Sequence, residues 1–275
     1  MGEIIACANQ KGGVGKTTTV VNLASYLARS GCRVLIVDLD PQGNATSGVG
    51  LASREVELSI YPVLLGNGNL GDLIIAAAIE GLSIIPSSRD LAGAEVELVP
   101  LPTRERRLSR ALAPVRDDYD YVLMDCPPSL SLLTVNALTA ADSVLIPIQC
   151  EYYALEGLGQ LLSTVELVRA HLNPELAIKG VVMTMFDART TLSSDVSAEV
   201  RRHMGDQVFD TQIPRSVRLA EAPSYGRPIS EYSPASRGAH AYAALAAEVL
   251  ARDGHTVTPA PAGDTQPAPA WATRS

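Results

Sequence analysis

Only three of the 22 basic residues in this 275-residue chain are lysines, and two of them, Lys11 and Lys16, flank one glycine-rich turn. The stretch reads Asn9-Gln10-Lys11-Gly12-Gly13-Val14-Gly15-Lys16-Thr17-Thr18 and follows the apolar run Ile4-Ile5-Ala6-Cys7-Ala8. A short buried strand, a glycine loop and a helix form the context of a phosphate-binding loop. Glycines let backbone N–H groups turn inward around phosphate oxygens, and the helix adds its positive N-terminal end. Lys16 then serves as a point charge for the β- and γ-phosphates, and the Thr17 hydroxyl is placed to ligate Mg²⁺. A plain glycine turn is the alternative, and it leaves both lysines unexplained.

Two further segments end in carboxylates. Tyr121-Val122-Leu123-Met124-Asp125 resembles a Walker B strand, whose Asp125 would hold Mg²⁺ through a water opposite Thr17. Val34-Leu35-Ile36-Val37-Asp38-Leu39-Asp40-Pro41 places two more carboxylates at a strand end. Asp40, turned outward by Pro41, is the candidate to position or deprotonate the attacking water, and Asp38 supports the magnesium shell or the loop. Capping of the next helix is the alternative role for each of the three.

These residues need an element order that gathers strand ends. Apolar runs at 3–8, 33–38, 82–86, 120–125, 143–148 and 178–185 read as strands. Helical patterns near 16–30, 89–99, 103–115, 130–140, 154–172, 190–204 and 236–252 alternate with them, the signature of βαβ units. The expected fold is α/β, a doubly wound and mostly parallel sheet with helices on both faces, whose ligands bind beyond the carboxyl ends of the strands. Hydrophobic content of 47% with 4% aromatic suits that aliphatic core. Residues 1–253 read as one P-loop ATPase domain. Residues 254–275, rich in Pro, Ala and Thr, read as a disordered tail. No apolar run is long enough to span a membrane, no signal peptide is evident, and Cys7, Cys32, Cys126 and Cys150 follow no metal-binding spacing, which together point to a reduced, cytoplasmic protein.

With these motifs in place the chain resembles the ParA/Soj chromosome-partitioning ATPases, in the deviant Walker A group that includes MinD. The loop matches Lys-Gly-Gly-x-Gly-Lys-Thr-Thr. The segments Asp38–Thr46, Leu91–Glu95, Asp125–Ser129, Gln149–Gly157 and Glu221–Ser224 also resemble family segments. The resemblance implies ATP and Mg²⁺ as ligands, a homodimer formed around ATP, slow hydrolysis to ADP and phosphate, stimulation by a ParB-type protein and nonspecific binding of double-stranded DNA on the nucleoid. It implies that Lys11 crosses the dimer interface to the partner's phosphates, which makes it a catalytic residue beside Lys16 and Asp40. It places the base against Pro214 and Ser216, although relatives often carry Asn at the second position. Arg189 and Arg218 fall where relatives present DNA-contacting arginines.

A net charge of −8 opposes DNA binding at first sight. The distribution is uneven: residues 1–178 hold 12 Lys/Arg against 20 Asp/Glu, and residues 179–237 hold 8 against 7. Arg189, Arg201, Arg202, Arg215, Arg218, Arg227 and Arg237 all lie in the second segment, as a candidate stripe for phosphates or as ordinary solvated side chains. Three other functions compete. A MinD-like membrane-cycling ATPase needs a basic amphipathic C-terminal helix, which four prolines in the tail oppose. An iron–sulfur reductase needs companion cysteines for Cys126. A small-molecule synthetase needs a second acid/base set, and none stands out.

Overall fold

A computed structural model describes residues 2–51, 58–151 and 154–255. The proposed tail, apart from Gly254 and His255, and Tyr152 and Tyr153 of the Gln149–Gly157 segment lie outside the described residues. Eight strands form one sheet: β1 (Glu3–Cys7), β2 (Val34–Asp38), β3 (Ile75–Ala76), β4 (Leu82–Ile85), β5 (Tyr121–Asp125), β6 (Ser143–Gln149), β7 (Ala177–Phe186) and β8 (Val208–Pro214). Their order is β3-β4-β2-β5-β1-β6-β7-β8, and every pairing is parallel except β3 with β4.

The central strands are buried on both faces because their sequences are continuous aliphatic runs rather than alternating ones. On one face Val20, Leu23 and Leu27 of the Lys16–Arg29 helix pack with Tyr242, Leu245 and Val249 of the Arg237–Arg252 helix. On the other, Leu133 and Ala137 of Leu132–Ala140 join Leu161 and Val165 of Ala154–His171 and Val200 of Thr191–Met204. This is the doubly wound α/β architecture that the alternation of patterns implies.

Six strands fall where the apolar runs placed them, and two were not anticipated. β3 has two residues, too few to carry a pattern. β8 is an edge strand in which Asp210 and Thr211 interrupt the apolar run between Phe209 and Ile213. The helix expected over 103–115 is shorter: a 3₁₀ turn at Arg104–Arg106 precedes Arg107–Leu112. Pro102 and Pro114 bracket that segment and limit its length. Two short helices, Asn44–Gly48 and Val217–Glu221, were also absent from the sequence reading.

Candidate functional site

Three strand ends meet beside the loop. In the sheet register Asp125 lies opposite Cys7 on one side and Asp38 on the other, so the turn after β1 emerges over both carboxylates. Gly13 and Gly15 hold φ of +75° and +89°, a region costly for side chains with a Cβ, and Gly15 hands the chain directly to the helix beginning at Lys16. The loop is anchored from below. Asn9 donates its side-chain amide to Pro147 O at 2.8 Å and accepts the Lys11 amide at 3.0 Å, while Thr184 donates to Val14 O at 2.8 Å. Neither Asn9 nor Thr184 was assigned this role from sequence, since a lone polar residue near a strand end carries no distinguishing pattern.

Lys16 is 6% exposed, and its Nζ donates to Lys11 O at 3.1 Å, so the ammonium is folded back across the mouth of the loop. Thr17 donates its hydroxyl to Asp125 Oδ2 at 2.7 Å. The other Asp125 oxygen is buried without any hydrogen-bond partner. Burial, then the nearby Asp38 carboxylate, pushes the Asp125 carboxyl well above the usual range. An orphaned carboxylate oxygen beside a threonine hydroxyl is a donor set for a hard, oxygen-seeking cation or its water, so these residues fit magnesium. Among the described residues no group of three or more His, Cys, Asp or Glu side chains forms a protein-only metal cage. That is consistent with an ion held mainly by phosphates and waters.

Asp38 is tied to the Asp40–Thr46 turn that follows its strand. Its Oδ2 accepts the Thr46 amide at 2.8 Å and the Thr46 hydroxyl at 2.7 Å, and its Oδ1 accepts the Asp40 amide at 3.2 Å. Burial raises the Asp38 carboxyl to about 6 against the lowering effect of these donors. The sequence offers Asp38 to the metal shell or to the phosphate loop; its bonds in the subunit run to Asp40 and Thr46, in the turn after β2. Asp40 sits one turn outward, nearly buried, and accepts the Gln42 amide at 2.9 Å.

Lys11, expected to contact the partner's phosphates, has a partner within the subunit. Its Nζ is paired with Glu151 Oε2 at 2.6 Å, both side chains being partly exposed. Glu151 belongs to a segment noted in the sequence, yet nothing there marked it as the partner of Lys11. Gly12 is open on its Cβ side, meeting only Pro128 Cβ at 3.9 Å.

Pro214 and Ser216 are brought to the loop. With Gly15, Thr18, Met185 and Tyr242 they line a mostly apolar cavity of about 300 Å³. Arg189 and Arg218 follow the ends of β7 and β8, on the rim of the sheet that carries the loop; Phe186 and Pro214 are register partners there. Each is bound to a neighbouring carboxylate. Arg189 Nη2 meets Asp187 at 2.7 Å with its side chain 88% exposed, and Arg218 meets Glu221 at 3.0 Å. Bonding to Arg189 draws the Asp187 carboxyl down to about 2. Cys126 is sealed in the core, where burial pushes its thiol up.

The family profile described as an AAA domain matches residues 2–178. The chain is similar to the sporulation initiation inhibitor protein Soj of Bacillus subtilis, with 59% identity covering 91% of this chain and 99% of that one. It is similar also to the chromosome partitioning protein ParA of Myxococcus xanthus, at 51% identity over 92% of this chain and 89% of the relative. Among solved structures it resembles cobyrinic acid a,c-diamide synthase from Mycobacterium smegmatis with bound ATP analog and magnesium, at a TM-score of 0.81 and 40% identity, over 92% of this chain and 96% of that one.

Proposed function

From a chain that belongs to the ParA/Soj family of chromosome-partitioning ATPases, we infer an enzyme that hydrolyses ATP to ADP and phosphate and uses the cycle to move DNA. In this reading it dimerises around ATP, binds double-stranded DNA of any sequence on the nucleoid in that state, and is released by a ParB-type protein that stimulates hydrolysis. The observation that carries the chemistry is the pairing of Thr17 with a half-satisfied, buried Asp125 beneath the loop of Lys16.

Backbone amides of Gly12, Gly13, Val14, Gly15 and Thr18 surround the phosphates, and Lys16 exchanges its bond with Lys11 O for phosphate oxygens. Thr17 and Asp125 would hold magnesium, which would supply neutralising charge for the β- and γ-phosphates. Asp40 orients the attacking water, with Asp38 and Thr46 fixing the loop from which it acts. Pro214 and Ser216 wall the base cavity. Lys11 leaves Glu151 to reach the phosphates held by the facing subunit.

The test is a mobility shift on random-sequence duplex DNA across a salt series, with ATP and with ADP. Binding is expected with ATP, is lost with ADP and falls steeply with salt. Equal binding with both nucleotides overturns the nucleotide-switched reading. The synthase name attaches to a relative at 40% identity, below the 59% and 51% of the partitioning relatives. A membrane-cycling role needs a basic amphipathic helix beyond Arg252, a segment outside the described residues. Among the described residues no helix is long and apolar enough to cross a membrane.

A further inference from the structure

A second cluster of guanidinium groups lies on elements that contribute nothing to the nucleotide site. Arg107 and Arg110 project from the Arg107–Leu112 helix into a cleft of about 440 Å³, opposite the turn Gly66-Asn67-Gly68-Asn69. Of the neighbouring arginines, Arg104 pairs with Glu105 at 2.8 Å and Arg116 with Asp142 at 2.7 Å, while Arg106 donates to Leu172 O at 2.8 Å. Arg107 and Arg110 meet no carboxylate among the described residues. Arg110 donates to the Thr103 hydroxyl at 2.9 Å, and Arg107 makes one long bond, to Pro102 O at 3.4 Å. The Arg107 Nε is buried with no acceptor at all.

A guanidinium stays charged at every physiological pH, and with its Nε sealed and no carboxylate beside it, Arg107 presents that charge through its Nη groups next to the turn. The turn lies directly against them. Gly66 and Gly68 hold φ of +95° and +89°, and a Cβ at Gly66 would come within 2.9 Å of the Arg107 Nη1, so a side chain there would displace the guanidinium. Asn69 spends its amide oxygen on the Gly71 N–H at 3.2 Å, which leaves its amide nitrogen as a further donor. Val63 and Pro114 give the cleft apolar walls. Two forked cations, an amide and an apolar wall suit an oxyanion carried on a small organic body, and phosphate matches paired guanidiniums best.

We propose that the cleft between Arg107, Arg110 and the Gly66–Asn69 turn is a second oxyanion site that takes a small phosphorylated ligand, independent of the nucleotide loop. The test uses the full chain saturated with ADP and Mg²⁺, so that the first loop is filled before the probe is added. Inorganic phosphate is titrated against chloride and acetate at matched ionic strength while the arginine Nε–H resonances are followed by NMR. The Arg107 Nε–H signal is expected to shift saturably with phosphate. Arg110→Gln, a change on an exposed side chain, is expected to weaken phosphate about tenfold with ADP affinity unchanged. Gly66→Ala, by crowding Arg107, should weaken it as well. An Arg107 signal indifferent to phosphate, or equal phosphate affinity in Arg110→Gln, overturns the site. Acetate acting as strongly as phosphate overturns the choice of ligand. Loss of random-DNA binding in Arg110→Gln without any phosphate response would make DNA the occupant and overturn the proposal too.

Discussion

The centre of the sheet and its β7–β8 edge hold their charges in opposite ways. Beneath the loop, Asp38, Asp125 and Lys16 are all buried, and each is fixed by a structural bond: Asp125 to Thr17, Asp38 to Thr46 and Lys16 to Lys11 O. At the edge, Arg189 and Arg218 stand in solvent and bond only to carboxylates two and three residues away. Chemistry on a phosphate needs charges fixed in a dry place, because preorganised groups there act at full strength. Attraction to a DNA backbone needs charges that can exchange a weak local partner for a phosphate, and exposed ion pairs contribute little to stability. The first region should therefore respond to substitution in rate, and the second in salt-dependent affinity.

The largest effects are expected at the centre. Lys16→Ala removes the buried point charge and should abolish productive ATP binding. Asp40→Ala should keep ATP binding and the ATP-dependent dimer but lower turnover by about 10²–10³-fold, the scale of one lost positioning or stabilising group. Single-turnover hydrolysis together with nucleotide affinity separates the two. Wild-type turnover in Asp40→Ala would remove its assignment and leave the carboxylate as a bond to Gln42.

At the edge the expectation is a loss of binding with no loss of rate. Arg189→Glu with Arg218→Glu should abolish the ATP-dependent mobility shift while basal hydrolysis and the dimer persist. The local pairs supply a sharper variant. Asp187 stays ionised down to about pH 2, so Arg189 is held at every working pH. Asp187→Asn should free it and tighten DNA binding several-fold, with a steeper salt dependence. A double charge reversal that leaves the shift intact would move the DNA contact elsewhere on the molecule.

Lys11 lies between the two regions in character, charged, half exposed and held by Glu151. Lys11→Ala should weaken ATP-dependent dimerisation by about tenfold while monomer affinity for ATP stays near normal, as sedimentation would report. Glu151→Gln removes the competing partner and should favour the dimer or leave it unchanged. A dimer weakened by Glu151→Gln would show that the pair is required rather than exchanged.

How far the sequence could be read follows the same division. The loop, Asp38, Asp40 and Asp125 were legible because each sits at the end of an aliphatic run, where chain direction alone sends it to the ligand edge. β8 was not, since an edge strand buried on fewer sides tolerates Asp210 and Thr211 and loses its pattern. The bonds of Lys11 to Glu151, Thr184 to Val14 and Asp38 to Thr46 link residues 140, 170 and 8 positions apart. The first two arise from strand order, which spacing along the chain does not encode. Asp38 shows the limit most clearly: its position was evident, but its bonds to Thr46 depended on the fold of Asn44–Gly48.

A final expectation concerns stability, and it tests whether the central carboxylates are held for an ion. Asp38 has its folded pKa raised, to about 6 from 3.8, and Asp125 is shifted the same way. A carboxylate raised by burial binds its proton more tightly in the folded state. Its contribution is therefore fully present below the unfolded pKa and is lost as pH rises through the folded one. Without magnesium and nucleotide the protein should lose on the order of 2–3 kcal/mol between pH 4 and pH 7 from Asp38 alone, less whatever other groups contribute. Adding magnesium with ADP should raise stability more at pH 7 than at pH 5 by acting on Asp125, whose free oxygen faces the ion's place beside Thr17, because a protonated carboxyl is a poor partner for a cation. Urea midpoints across pH, with and without the ligands, measure both halves. Asp38→Asn should flatten the apo profile, because the amide has no charge to desolvate. An apo stability that rises steadily to pH 7 would mean that the buried pair is compensated by Lys16 within the chain, and that the centre is built for its own charges rather than for an incoming ion.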